Sequence, residues 1–270
     1  MIKATPVAVT ERAVTRRPED AERSRPGAEA GALIRRAIDR RLVSLLAPAS
    51  FEADQYRALR SHLESSRDGR GHSVIAVTSA VVGDGKTTTS INLAGALAQA
   101  RDTRVLLVDA DLRRPSVGRQ LGIGEAGTPG LADAVLDETP SLAGLVRRLP
   151  PSNLEILTAG RPSPQPYEVL RAPHLQTLIE EARGRYDFIV VDTPPIVPVP
   201  DCGLIARWVD GLLIVVAAHR TPRKLLEESL NQLPPDKVVG MVFNGDDHAV
   251  AGYQDYYRAY PPSRGPTTGR

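Results

Sequence analysis

The stretch "TSAVVGDGKTTTSINLAGALA" (78–98) limits the architecture of this chain more than any other. It continues an apolar run, "SVIAVTS" (73–79), and passes directly into a helical pattern. Gly83 and Gly85 flank Asp84, and Lys86, Thr87 and Thr88 follow. Glycine lets backbone N–H groups approach an anion with no Cβ in the way. A helix starting at Lys86 adds unpaired N–H groups and the positive end of its dipole. Lys86 can then reach terminal phosphate oxygens, and the Thr87 hydroxyl can take a cation position. The usual form of such a loop opens with Gly six residues before the Lys, where Ala80 stands here. A strand, a phosphate-cradling turn and a helix in that order make one unit of a parallel sheet, so the rest of the chain must supply more such units.

Apolar runs and helical periods do alternate downstream. Further strands are expected at 104–109, 154–158, 187–192, 211–217 and 238–243, with helices at 86–101, 166–183, 199–208 and 222–233. Strands such as "DFIVVD" and "GLLIVVA" are apolar at consecutive positions, as a sheet covered on both faces requires. Upstream, Phe51, Tyr56, Leu59 and Leu63 fall near one face of a helix at 51–66, and a shorter amphipathic pattern runs from Ala32 to Leu46. The expected fold is α/β: a doubly wound, mainly parallel sheet with helices on both faces. It spans residues 49–245 between two tails, 1–48 and 246–270. Residues 1–48, rich in Pro, Glu, Arg and Ala, are expected to be largely disordered apart from the short helix.

Two expected strands end on carboxylates, "VLLVDADLRRP" with Asp109 and Asp111 and "FIVVDTPP" with Asp192. Charges there sit at the carboxyl edge of the sheet, where ligands bind in open α/β folds. Mg²⁺ needs only one or two such carboxylates besides a hydroxyl, phosphate oxygens and water. Lys86, Thr87, Asp109, Asp111 and Asp192 together therefore point to a Mg²⁺–nucleoside triphosphate site, with ATP as the expected nucleotide.

Other chemistries find little support. Cys202 is the single cysteine, which excludes a disulfide framework and reads as a small buried apolar side chain. The five histidines have no metal-ligand spacing. No apolar run reaches about 18 residues, the length that spans a bilayer. The N-terminus is a poor secretory signal, and a cytoplasmic setting is expected. Residues 1–48 carry ten Lys/Arg against six Asp/Glu, so the basic excess belongs to that segment and not to a nucleic-acid-binding face.

These motifs together resemble those of the bacterial tyrosine kinases of capsule and exopolysaccharide systems. The likeness lies in the Gly-x-Gly-Lys-Thr loop, in Asp109-Ala110-Asp111-Leu112-Arg113, in Asp192-Thr193-Pro194-Pro195 and in "LTAGRPSPQPYEVL". It implies a protein-tyrosine autokinase in which Lys86 and Mg²⁺ offset charge on the γ-phosphoryl group. Asp192 and one of Asp109/Asp111 would hold the metal, and the other Asp, taken as Asp109, would accept the tyrosine proton. It also implies a nucleotide-base pocket near Asn244. A family helix, Glu-x-x-Arg-x-x-Arg, that links protomers into a ring corresponds to Asp54, Arg57 and Arg60, with the shorter Asp in place of Glu.

The same resemblance gives a role to "GYQDYYRAY". Four of seven tyrosines, Tyr253, Tyr256, Tyr257 and Tyr260, cluster there. They are the expected phosphoacceptors, served in trans, since 15 residues beyond Gly245 could span about 50 Å. A membrane-spanning polysaccharide chain-length regulator is the implied activating partner, recruiting the kinase to the inner face of the membrane. A tyrosine phosphatase would reset the tail. The alternative is a nucleotide-binding scaffold or ATPase switch without kinase activity; the partition and division-site ATPases, the nearest other family, carry a signature Lys where Val81 stands.

Overall fold

A computed structural model describes residues 38–65, 73–123, 128–137, 141–150 and 152–245. Seven strands form one sheet: β1 (Ser73–Ser79), β2 (Val105–Asp109), β3 (Arg147–Leu149), β4 (Leu154–Leu157), β5 (Phe188–Asp192), β6 (Gly211–Ala217) and β7 (Val238–Asn244). Their order is β3-β4-β2-β5-β1-β6-β7, every neighbouring pair parallel except β3 with β4.

Side-chain alternation explains why the central strands are apolar throughout. Val74, Leu106, Val108, Ile189, Val191, Leu212 and Ile214 feed one core, whereas Ile75, Val77, Leu107, Val190, Leu213 and Val215 feed the other. Burying each such side chain on folding contributes about 1.5–3 kcal/mol, so both faces must be covered. One face is closed by α1 (Val43–Leu46), α2 (Phe51–Ser65), α3 (Lys86–Leu97) and α4 (Val117–Gln120). The other is closed by α5 (Leu131–Leu136), α6 (Pro166–Arg171), α7 (Pro173–Arg183), α8 (Asp201–Ile205) and α9 (Arg223–Asn231). No helix among the described residues is long and apolar enough to cross a membrane.

Three differences from the expected elements have local causes. The helix at 166–183 is two helices, because Ala172 precedes Pro173 and takes extended angles (φ −61°, ψ 135°). β3 was not anticipated: it is a three-residue antiparallel edge strand, "RRL", too short and too charged to read. Of the amphipathic pattern at 32–46, only Val43–Leu46 is helical among the described residues. The segment from Ile38 to Leu46 is nonetheless packed on the domain, with Leu42 fully buried. Ser44 N–H donates to Asn92 Oδ1 (2.9 Å) and Asp39 N–H to the Gln120 carbonyl (2.8 Å), so the fold begins about ten residues before the expected boundary.

Candidate active site at the carboxyl edge of the sheet

β1 lies between β5 and β6, and β5 separates it from β2, so three strand ends meet where the chain's direction of crossover reverses. The loop leaving β1 turns through Gly83 (φ 92°) and Gly85 (φ 96°), both in the left-handed region open to glycine. A Cβ on Gly85 would lie 2.0 Å from Asn244 Nδ2, the group that donates to the Asp84 carbonyl at 2.9 Å. The Asp84 carboxylate faces inward, accepting from Val81 N–H (3.3 Å) and the Thr221 hydroxyl (2.8 Å). Asp84 and Asn244 therefore brace the loop from behind and do not line its cavity.

Asp109 and Asp192 stand in register on β2 and β5. The Thr87 hydroxyl donates to Asp192 Oδ2 (2.7 Å), the Ser90 hydroxyl to Asp192 Oδ1 (2.9 Å), and the Ser116 hydroxyl to Thr87 Oγ1 (3.1 Å). Asp109 Oδ2 accepts from the N–H groups of Ser116 and Val117 (both 3.0 Å), and its Oδ1 accepts from Asp111 N–H (3.2 Å). Burial, with the charge of Asp192 next, pushes the Asp109 carboxyl up to about 8. Burial also raises Asp192, against the pull of Lys86 and the two hydroxyls.

Asp111 is placed differently. Its Oδ2 accepts from Lys86 Nζ (2.8 Å) and its Oδ1 from Arg114 N–H (3.1 Å). Burial pulls the Lys86 ammonium down, but Asp192, Asp111 and Asp109 together hold it above its ordinary value. A cavity of about 550 Å³ opens here, lined by Gly83, Gly85, Lys86, Thr87, Thr88 and Asp111 on the loop side. Pro194, Pro195, Arg113, Arg114, Arg119 and Arg41 also line it. Asp111, and not the expected Asp109, is the carboxylate on the cavity wall, because backbone donors hold Asp109 behind it.

The donor set fits a hard cation shared with phosphate. Thr87, Asp192 and Asp109 offer only oxygen: Thr87 is bonded to Asp192, Asp109 stands in register beside Asp192, and Lys86 Nζ lies 3.5 Å from Thr87 Oγ1. Among the described residues no group of three His, Cys, Asp or Glu side chains that could hold a metal ion is found. Ser116 and Ser90 were missed from the sequence, since a serine seven residues past an aspartate carries no signal of its own. Arg113 spans to the buried Asp201 through two bonds (2.7 and 2.9 Å).

The residues expected at a protomer interface sit on α2. Asp54 and Arg57 pair with each other, and Arg57 also reaches the Pro48 carbonyl. Arg60 is turned inward, to Glu64 (2.8 Å) and to the Ala96 carbonyl at the end of α3 (3.1 Å). Cys202 is buried, with its thiol against Thr78 Oγ1 (3.5 Å). Tyr253, Tyr256, Tyr257 and Tyr260 lie outside the described residues.

Residues 72–220 match a family model described as an AAA domain. Over 221 residues the chain is 32% identical to the tyrosine-protein kinase YwqD of Bacillus subtilis, covering 80% of this chain and 92% of that one. It is 35% identical over 216 residues to the succinoglycan biosynthesis transport protein ExoP of Rhizobium meliloti, covering 78% of this chain but 27% of that one. Among solved structures it is similar to the kinase domain of the Escherichia coli tyrosine kinase ETK. The TM-score is 0.71 at 27% identity, covering 78% of this chain and 82% of that one.

Proposed function

This chain belongs to the bacterial tyrosine-protein kinases, and from that premise we propose that it transfers the γ-phosphoryl group of ATP to tyrosines of its own C-terminal segment. The observation that carries the reading is that Lys86, Thr87 and Asp111 line one cavity, with Asp192 bonded to Thr87 and Asp109 in register beside Asp192 behind them. Thr87 and Asp192 would hold Mg²⁺, with Asp109 behind them, and the ion would supply neutralisation of phosphate charge. Lys86 binds the terminal phosphate oxygens. Doing so takes it from Asp111, whose carboxylate is then free to receive a proton beside the acceptor. The tyrosine oxygen attacks the γ-phosphorus in line. One O–P bond forms as the bond to the β,γ-bridging oxygen breaks, the phenolic proton passes to Asp111, and ADP leaves. An unperturbed phenol titrates near 10, so a positioned acceptor for that proton matters.

Acting on its own tail, Tyr253, Tyr256, Tyr257 and Tyr260, is favoured by their concentration just beyond the last strand. A role in polysaccharide synthesis is favoured by the likeness to ExoP, by name a succinoglycan biosynthesis transport protein. The chain would then work at the inner face of the membrane beside a membrane-spanning partner. Asp54 and Arg57 are the remaining candidates for contacts between protomers, with Arg60 serving its own chain.

Incubation with Mg-ATP, with and without the cytoplasmic segment of such a partner, followed by peptide mass spectrometry tests this. Phosphate on the tail tyrosines, absent from Lys86→Met protein, is the expected result. Release of free phosphate with unmodified tyrosines would move the protein to the ATPase-switch reading.

A further inference from the structure

The cavity is cationic beyond what the nucleotide machinery described above uses. Among the described residues four arginines line it, and the only acidic side chain that does so is Asp111. Arg113 is spent on neutralising buried Asp201. Arg114 is exposed, and only its backbone N–H is engaged with a described residue, on the carboxylate of Asp111. Arg41 comes from the segment ahead of the expected domain. It is held in place by Asn92, which donates from Nδ2 to the Arg41 carbonyl (3.0 Å), and by Asp39, which accepts from Arg41 Nε (3.0 Å) and Nη2 (2.6 Å). Its side chain stays 69% exposed.

We propose that Arg41 and Arg114 form a binding site for a phosphotyrosine next to the acceptor tyrosine, so that one phosphate on the tail favours the next. The inference rests on the kinase reading above. Arginine is the side chain suited to such a ligand, since its planar fork meets phosphate oxygens through two charge-assisted bonds. Arg114 is anchored through its backbone to Asp111 and lines the same cavity, so an anion it holds there shares that cavity with the group assigned to take the acceptor's proton. The tail fits: Tyr256 and Tyr257 are adjacent, with Tyr253 and Tyr260 each three residues away. Unphosphorylated, the stretch 251–262 around the tyrosines offers little to these arginines, its charges being Asp255 and Arg258.

Peptides of residues 251–262 provide the probe, with Tyr257 as sole acceptor and Tyr253 and Tyr260 replaced by Phe. Position 256 is Phe, Glu or phosphotyrosine in three versions. With full-length protein and Mg-ATP, kcat/KM is expected to be about tenfold higher for the phosphotyrosine version than for Phe, with Glu between. In the Arg41→Gln/Arg114→Gln double variant that ratio should fall to about one. A ratio near one in the unaltered protein overturns the proposal, as does a ratio that survives the double variant. A higher KM for ATP with an unchanged peptide ratio would assign the arginines to the nucleotide and overturn it too. If no peptide accepts phosphate, the kinase reading is what fails. Anisotropy of the same labelled peptides with Mg-ADP present then decides, since tighter binding of the phosphotyrosine version, lost in the double variant, still supports the site and equal binding rejects it.

Discussion

Asp109 and Asp111 are two residues apart and meet different surroundings. Replacing Asp111 by Asn removes the proton acceptor but leaves Lys86, so phosphotransfer should fall by about 10²–10⁴-fold while nucleotide affinity is kept. Loss of nucleotide binding in that variant would show Asp111 to be a ligand and not a base. Asp109 predicts a pH effect. Its carboxyl titrates ordinarily at 3.8 and near 8 in the fold, so the folded state holds its proton more tightly than the unfolded one. That contribution to stability is fully present below about pH 4 and is lost as the pH climbs through 8. Urea denaturation in chelator should show the wild-type advantage over Asp109→Asn shrinking between pH 5 and 8. An advantage that widens with pH would contradict the burial argument.

The phosphate loop and β7 are separate elements that share one contact, Asn244 against Gly85. Gly85→Ala adds both a clash with Nδ2 and a left-handed backbone strain of about 1–3 kcal/mol. Nucleotide affinity should drop sharply in that variant. Adding Asn244→Ala should restore part of it, since the clash is relieved and the strain is not, a balance that calorimetric titration with Mg-ADP would resolve. Six of seven strands were legible in the sequence because burial on both faces demands consecutive apolar residues, and β3 was not because an edge of "RRL" shows no such pressure. The loop and the three aspartates were legible as a motif with strong local geometry. Arg41 and Ser116 were not, because their places depend on packing: Leu42 seats one on α3, and the backbone donors to Asp109 fix the other. The bracing bonds of the Asp84 and Asn244 side chains were not legible for the same reason, since which way a side chain turns is decided by its neighbours.

For the molecule as a whole, two cores on one sheet hold the site, while the proposed acceptor tyrosines come after the last strand in the sequence. A protein lacking residues 246–270 should therefore unfold at an unchanged temperature yet still act on others. Mixed with full-length Lys86→Met protein and Mg-ATP, it should place phosphate on the inactive partner's tail; an unmodified partner would mean that transfer is confined to one chain. The brace at Asn244 adds a consequence of its own. The proposed acceptors follow it in the sequence by nine to sixteen residues, eight to fifteen beyond Gly245, so the length of chain from there bounds how far each can lie from the donor site. Eight residues allow Tyr253 about 28 Å, and fifteen allow Tyr260 about 50 Å. Encounter on a leash follows local concentration, which vanishes when the tether is too short for the gap and thins when it is too long. If the tail is the substrate, as proposed, the four tyrosines would be graduations on a ruler, and the pattern of phosphates along them would record how far apart neighbouring active sites stood.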